Sequence, residues 1–128
     1  MNWRVDYDSI APTFNRRYER NEYAGVERAL RQFAGKEPGP RILEVGCGTG
    51  HWLEVLHAEG LHLTGLDPSA GMLAQARARL PGSDLVRGQA EHLPWEDGSF
   101  DRLFCINAIH HFVDKAAFLT EAKRILRP

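Results

Sequence analysis

The sequence predicts an α/β fold built on a mostly parallel sheet, and three stretches carry that prediction. Ile42, Leu43 and Val45 form an apolar run too short for a helix and rich in branched residues, the pattern of a buried strand. Glycines at 46, 48 and 50 follow it and lead into a helix whose apolar face is Trp52, Leu53 and Leu56. Leu61-His-Leu-Thr-Gly-Leu-Asp67 is an alternating strand that ends on an acid. Phe100-Asp-Arg-Leu-Phe-Cys-Ile106 hardly alternates, which suits a strand covered on both faces, as parallel strands are.

Composition sets the scale. A chain of 128 residues with 43% hydrophobic content can form one domain with a real core, and 1–128 reads as a single domain, small for its kind. The formal net charge of -1, from 16 basic and 17 acidic residues, demands neither nucleic acid nor an acidic membrane as partner. Cys47 and Cys105 make no disulfide framework and no metal site, so a reducing cytoplasm is the default and no metal is expected. The first residues lack the apolar core of a signal peptide and no run approaches membrane-spanning length, so a soluble protein is expected.

In chain order, Tyr7, Ile10, Phe14 and Tyr18 are spaced by 3, 4 and 4, a helical stripe interrupted by Pro12. Capping the core is the commoner use of such a stripe. Arg16, Arg17 and Arg20, interleaved with Glu19 and Glu22, read as a solvated face. Tyr23, Val26, Leu30 and Phe33 predict a helix over 22–33, and Gly35-Lys-Glu-Pro-Gly-Pro40 ends it and loops into the first strand.

The glycine turn comes next. Without a Cβ, glycine takes positive φ and lets a ligand approach the backbone, and the helix N-terminus behind it offers free N–H groups and a positive dipole end. An ordinary strand-to-helix turn would use the same glycines. A dinucleotide fingerprint would need a third glycine at position 51, which is His51, and no Gly-Lys-Ser/Thr ending marks a phosphate loop. A nucleoside-type ligand on a Rossmann-like frame remains. Its polar partner is Asp67, 19 positions after Gly48 at the end of the second strand, where a carboxylate can accept from both ribose hydroxyls. Asp67 is also a good helix cap in its own right.

Pro68 and Ser69 then predict a helix start with Ser69 as the cap, and Pro81-Gly82 breaks that helix after Leu80. Its apolar face is Met72, Leu73, Ala76 and Leu80. Asp84 to Arg87 is a short third strand, and Gly88-Gln-Ala-Glu91 is the loop at its carboxyl end, where ligands of open α/β sheets gather. Leu93 to Gly98 is turn chemistry, and Asp101 reads as a structural cap of a neighbouring loop. Asn107-Ala-Ile-His-His111 lies at the carboxyl end of the fourth strand. Phe118, Leu119, Ala122, Ile125 and Leu126 give a last helix that stops at Arg127-Pro128.

Four segments together carry a resemblance. Glu44-Val-Gly-Cys-Gly-Thr-Gly50, Gly65-Leu-Asp-Pro-Ser69, Gln89-Ala-Glu-His-Leu-Pro-Trp95 and Ser99-Phe-Asp-Arg-Leu-Phe-Cys-Ile-Asn-Ala-Ile-His-His-Phe112 stand in order and spacing. The chain resembles, from about Tyr7 to Pro128, the class I S-adenosylmethionine-dependent methyltransferases, in their type 11, ubiquinone-biosynthesis-like branch.

The resemblance implies a Rossmann-like three-layer sandwich with strand order 3-2-1-4, and S-adenosyl-L-methionine as cofactor. It implies that Gly46, Cys47, Gly48, Thr49 and Gly50 approach the methionyl part, with Glu44 orienting its amino group. Asp67 and Pro68 fall on the ribose side. Met72, Gln89, Ala90 and Glu91 line the adenine, and Asn107 lies near the sulfur. A lid over about residues 1–21 would bring Tyr7 to the methionine part. Met72 also suits the core, and Glu91 also suits the surface. Gln89 stands where the family usually has Asp, so either its carbonyl or Glu91 accepts from the adenine amino group.

In the family the motif Arg-Ile-Leu-Arg-Pro is followed by further strands. The chain is therefore expected to be truncated to about four strands, with the fourth as an open edge that self-associates or is covered by rearrangement.

The implied chemistry is methyl transfer to a small-molecule acceptor by direct displacement. A hydroxyl acceptor would need a base, and His110 or His111 is the candidate, against a plain packing role for both. Three function classes follow: an active small-molecule methyltransferase, a non-catalytic S-adenosylmethionine-binding domain or inactive fragment, and a nicotinamide-dependent oxidoreductase, weakened by His51.

Overall fold

A computed structural model describes residues 8, 24–35, 40–57, 61–106 and 108–128. The expected lid and its aromatic stripe lie outside them, save for residue 8. The first described helix, α1 (Ala24–Ala34), buries Leu30 and Ala34. β1 (Arg41–Val45), β2 (His62–Asp67), β3 (Asp84–Arg87) and β4 (Arg102–Phe104) form one sheet in the order β3-β2-β1-β4. All three pairings are parallel. Between the strands run α2 (His51–His57) and α3 (Ala70–Arg79), and α4 (Lys115–Ile125) follows β4. This is the expected α/β Rossmann-like architecture.

Two clusters, one on each face, make the core. Side chains alternate across a strand, so β1 sends Ile42 to one face and Leu43 and Val45 to the other. Ile42 joins Leu30 of α1, Trp52, Leu53 and Leu56 of α2, and Leu73 of α3. Leu43 and Val45 join Leu66, Phe100, and Phe118 and Ile125 of α4. With helices on both sides, the central strand is buried from Ile42 to Val45, which explains its near-continuous apolar run.

Gly65 shows how tightly one face is filled: a Cβ there would lie 2.8 Å from both the Cys47 sulfur and a Leu53 methyl. A glycine inside a strand often marks such a close approach.

The fourth strand is shorter than its apolar run suggested. Pairing with β1 covers Arg102 to Phe104, and Cys105 and Ile106 have left the ladder. Ahead of it, Asp101 donates its N–H to the Arg41 carbonyl at 2.9 Å, and its carboxylate accepts from the Arg41 N–H at 2.8 Å. Phe100 turns outward instead. Its N–H reaches the Ile125 carbonyl at 3.0 Å and its carbonyl accepts from Arg127 at 2.9 Å, a parallel bridge to Leu126. The tail after α4 thus covers the start of that edge.

Arg124 fastens α4 to the turn before β4. Its guanidinium donates to the carbonyls of Leu93 and Trp95 at 2.9 and 2.7 Å, and to Asp97 and Glu121. Glu121 in turn accepts from the Leu93 N–H at 3.0 Å, and Arg124 holds its carboxyl below the usual carboxylate range.

Candidate functional site at the carboxyl ends of the strands

Parallel strands bring the loops after β1, β2, β3 and β4 to one rim. The glycine turn is sewn to β2 there: the N–H groups of Gly46 and Cys47 both donate to the Leu66 carbonyl, at 2.7 and 3.0 Å. Gly46 has φ +78, and a Cβ on it would lie 2.6 Å from the Cβ of Ala108, so the turn and the loop after β4 touch at this point. Only glycine allows both the backbone angle and the contact.

Asp67 is the hub. One carboxylate oxygen accepts from the Gly48 N–H at 3.0 Å and the other from the Ser69 N–H at 2.9 Å. It is 8% exposed, and burial raises its pKa against the lowering effect of those two amides. Ser69, as expected, is the cap of α3, its hydroxyl accepting from the Met72 N–H at 3.1 Å. Capping is thus Ser69's role and not that of Asp67.

Glu44 stands beside it with an unusual burden. The side chain is 1% exposed, and its Oε1 has no hydrogen-bond partner. Burial first, and the negative Asp67 second, hold its carboxyl well above the usual carboxylate range. Among the described residues neither carboxylate is in an ion pair, and no group of His, Cys, Asp and Glu could hold a metal. A buried acid without a partner costs free energy unless it stays protonated or meets a cation.

Met72 is buried beside the turn, its sulfur 4.0 Å from where a Gly48 Cβ would stand, and Thr49 is buried too. Pro68 is exposed, and its carbonyl accepts from Arg87 at 3.1 Å. Gln89 is exposed, with its backbone carbonyl taken by the His92 N–H at 3.2 Å.

Several expected side chains are committed elsewhere. The Cys47 side chain packs among Trp52 and Leu53, so this residue offers a ligand its backbone. Ala90 packs in the other cluster with Leu43 and Leu66. Gly50 serves the packing of α2 on α3, since a Cβ there would come within 3.2 Å of Ala76. The Glu91 carboxylate accepts from the N–H groups of Val113 and Asp114 at 2.9 and 3.3 Å, tying the loop after β3 to the loop after β4. Tyr7 and Asn107 lie outside the described residues.

His110 and His111 sit exposed on a 3-10 turn, Ile109–His111, with ring centroids 3.9 Å apart. Burial raises the pKa of both thiols, Cys105 to about 11, so neither is a nucleophile at neutral pH. One rim residue went unread in the sequence: Asp8, whose carboxylate reaches the start of α3. Its only signal was its place beside Tyr7 within the expected lid.

The fold and this rim define a Rossmann-like α/β protein with its ligand end at the strand carboxyl termini. Residues 43–128 match the family model described as methyltransferase domain, and the chain belongs to that family. It is 35% identical over 129 residues to malonyl-[acyl-carrier protein] O-methyltransferase of Erwinia billingiae, covering 97% of this chain and 51% of that protein. It is 47% identical over 95 residues to phthiotriol/phenolphthiotriol dimycocerosates methyltransferase 1 of Mycobacterium ulcerans, covering 70% of this chain and 35% of that one. The chain thus spans about half the length of one relative and about a third of the other.

Among solved structures, a chain of the complex between the Haloferax volcanii Trm112 methyltransferase activator and a methyltransferase superposes with a TM-score of 0.86 at 27% identity. That match covers 99% of this chain and 58% of the other. An S-adenosylmethionine dependent methyltransferase from Mesorhizobium loti gives 0.69 at 30% identity, over 83% and 49% of the two chains.

Proposed function

We propose that the chain is a single S-adenosyl-L-methionine-binding domain that serves methyl transfer to a small-molecule acceptor. The observation that carries this reading is the partnerless Oε1 of buried Glu44 beside the raised carboxyl of Asp67. Two acids set in low dielectric with no cation paired to them among the described residues favour a cationic ligand and disfavour a pyrophosphate. This argues against a nicotinamide dinucleotide and for a ligand that carries an ammonium and a sulfonium.

The residues present fit that ligand. Glu44 would accept from the amino group. Each oxygen of Asp67 spends one acceptor site on a backbone amide and keeps another for a ribose hydroxyl. Gly46, Cys47, Gly48, Thr49 and Gly50 would give backbone approach, and Met72 an apolar wall for the adenine. Pro68, Gln89, Ala90 and Glu91 complete that side through the loops they shape, and Tyr7 and Asn107 are assigned to it by the resemblance alone.

When bound, S-adenosylmethionine supplies an already electrophilic methyl group. The chain's own work is to hold the acceptor in line and keep water out, worth roughly 7 to 11 kcal/mol of barrier in well-oriented cases. For a hydroxyl acceptor, His110 or His111 would take the proton. The O-methyltransferase and the phthiotriol methyltransferase among the relatives support an acceptor of small-molecule or carrier-bound type. The free thiols of Cys47 and Cys105 suit a reducing, cytoplasmic compartment, and no helix among the described residues is long and apolar enough to cross a membrane. The open part of the β4 edge suits a homo-oligomer.

Calorimetry tests the reading. The chain should bind S-adenosylhomocysteine, Asp67→Ala should abolish measurable binding, and a dinucleotide should give no heat. Wild-type affinity in Asp67→Ala would remove that residue from the site, and a dinucleotide bound in preference would overturn the assignment.

A further inference from the structure

Asp8 docks on the first turn of α3. Its Oδ1 accepts from the Ser69 hydroxyl at 2.5 Å and from the Gly71 N–H at 2.8 Å. A helix start leaves its first N–H groups unpaired, and here two acceptors share them: Ser69 takes Met72 and Asp8 takes Gly71. A negative charge is also favoured at that end. The fit extends to the backbone. A Cβ on Gly71 would lie 3.0 Å from the Asp8 carbonyl oxygen and 3.1 Å from its Cα, so residue 71 leaves room for residue 8.

The contact is one link from the hub of the site. Ser69, which donates its hydroxyl to Asp8, donates its N–H to Asp67.

We propose that Asp8 is a positioning residue for cofactor retention: it latches onto the first turn of α3 and, through Ser69, steadies Asp67, so that breaking the latch speeds release of the cofactor. The proposal rests on the reading of Asp67 as the ribose carboxylate. Two substitutions break the latch from opposite sides. Asp8→Ala removes the acceptor, and Gly71→Ala puts a methyl group where residue 8 packs. Asp8→Asn keeps an acceptor oxygen without the charge.

Stopped-flow displacement of S-adenosylhomocysteine should show release about tenfold faster in Asp8→Ala and in Gly71→Ala, with a smaller change in Asp8→Asn and similar association rates in all, as affinity differences reside mostly in dissociation. Wild-type release rates in both alanine variants, with binding lost in Asp67→Ala, would overturn the latch and leave the cofactor reading standing. Hydrogen exchange of the Gly71 amide reads the latch without any ligand. Protection in the wild type that is lost in Asp8→Ala supports it, and equal exchange in the two chains refutes it whether or not S-adenosylhomocysteine binds.

Discussion

Glu44 is the residue whose surroundings differ most from those its chemistry prefers. A carboxyl with a raised pKa keeps its proton in the folded chain and loses it in the unfolded one, between its ordinary value of 4.5 and the higher folded value. In that window the folded state binds more protons, so stability falls as pH rises. Asp67, raised from 3.8, adds a contribution of the same sign. Glu44→Gln carries no such charge. Its melting temperature should decline less than that of the wild type between pH 4.5 and neutrality, while its affinity for S-adenosylhomocysteine drops. Parallel decline in both proteins by differential scanning fluorimetry would show that Glu44 does not remain protonated. Sequence alone pointed to Glu44 only through its motif; its missing partner depends on which neighbours the fold brings to position 44.

At the level of elements, the packing of β2 against α2 turns on Gly65. Gly65→Ala would press a methyl group to within 2.8 Å of Cys47 and Leu53, and overfilling of this kind costs about 1–3 kcal/mol. Urea denaturation should register that loss, and unchanged stability would mean that α2 shifts freely.

Much at this level was legible beforehand. A short branched run marked β1 and an alternating one ending on Asp67 marked β2, Ser69 and Pro81-Gly82 bracketed α3, and the stripe from Phe118 marked α4. The end of β4 was not legible, because an apolar run records burial on both faces and carries no mark of where backbone pairing stops. Contacts that join distant residues were equally hidden: Glu91 with Val113, Asp8 with Gly71, and Arg124 with the Leu93 carbonyl. Nothing in a carboxylate or guanidinium codon-by-codon names its partner, since such side chains meet only after the sheet has formed.

For the whole molecule, β4 is an outer strand with unequal protection along its length. Arg41 turns its backbone to β4, where it meets Asp101, and the period of two in β1 turns Leu43 the same way. Paired with Leu103, Leu43 meets the backbones of Arg102 and Phe104, so these two face β1 and the N–H of Leu103 faces outward. Phe100 is covered by Ile125 and Arg127. In dilute solution, hydrogen exchange should therefore be faster at Leu103 than at Phe100, Asp101, Arg102 and Phe104. If the homo-oligomer forms through this edge, protection of the Leu103 amide should rise with protein concentration, in step with the mass seen by light scattering. Rising mass with no change at Leu103 would place the association elsewhere.

The vacant acceptor on Glu44 also bears on how long the protein persists. A ligand that meets this acceptor draws the folded population with it, by about 2.7 kcal/mol at a hundredfold excess over its dissociation constant. Proteases sample the opened chain, so turnover inside a cell would track the supply of whatever ligand fills the site. Starved of it, the chain would be cleared sooner.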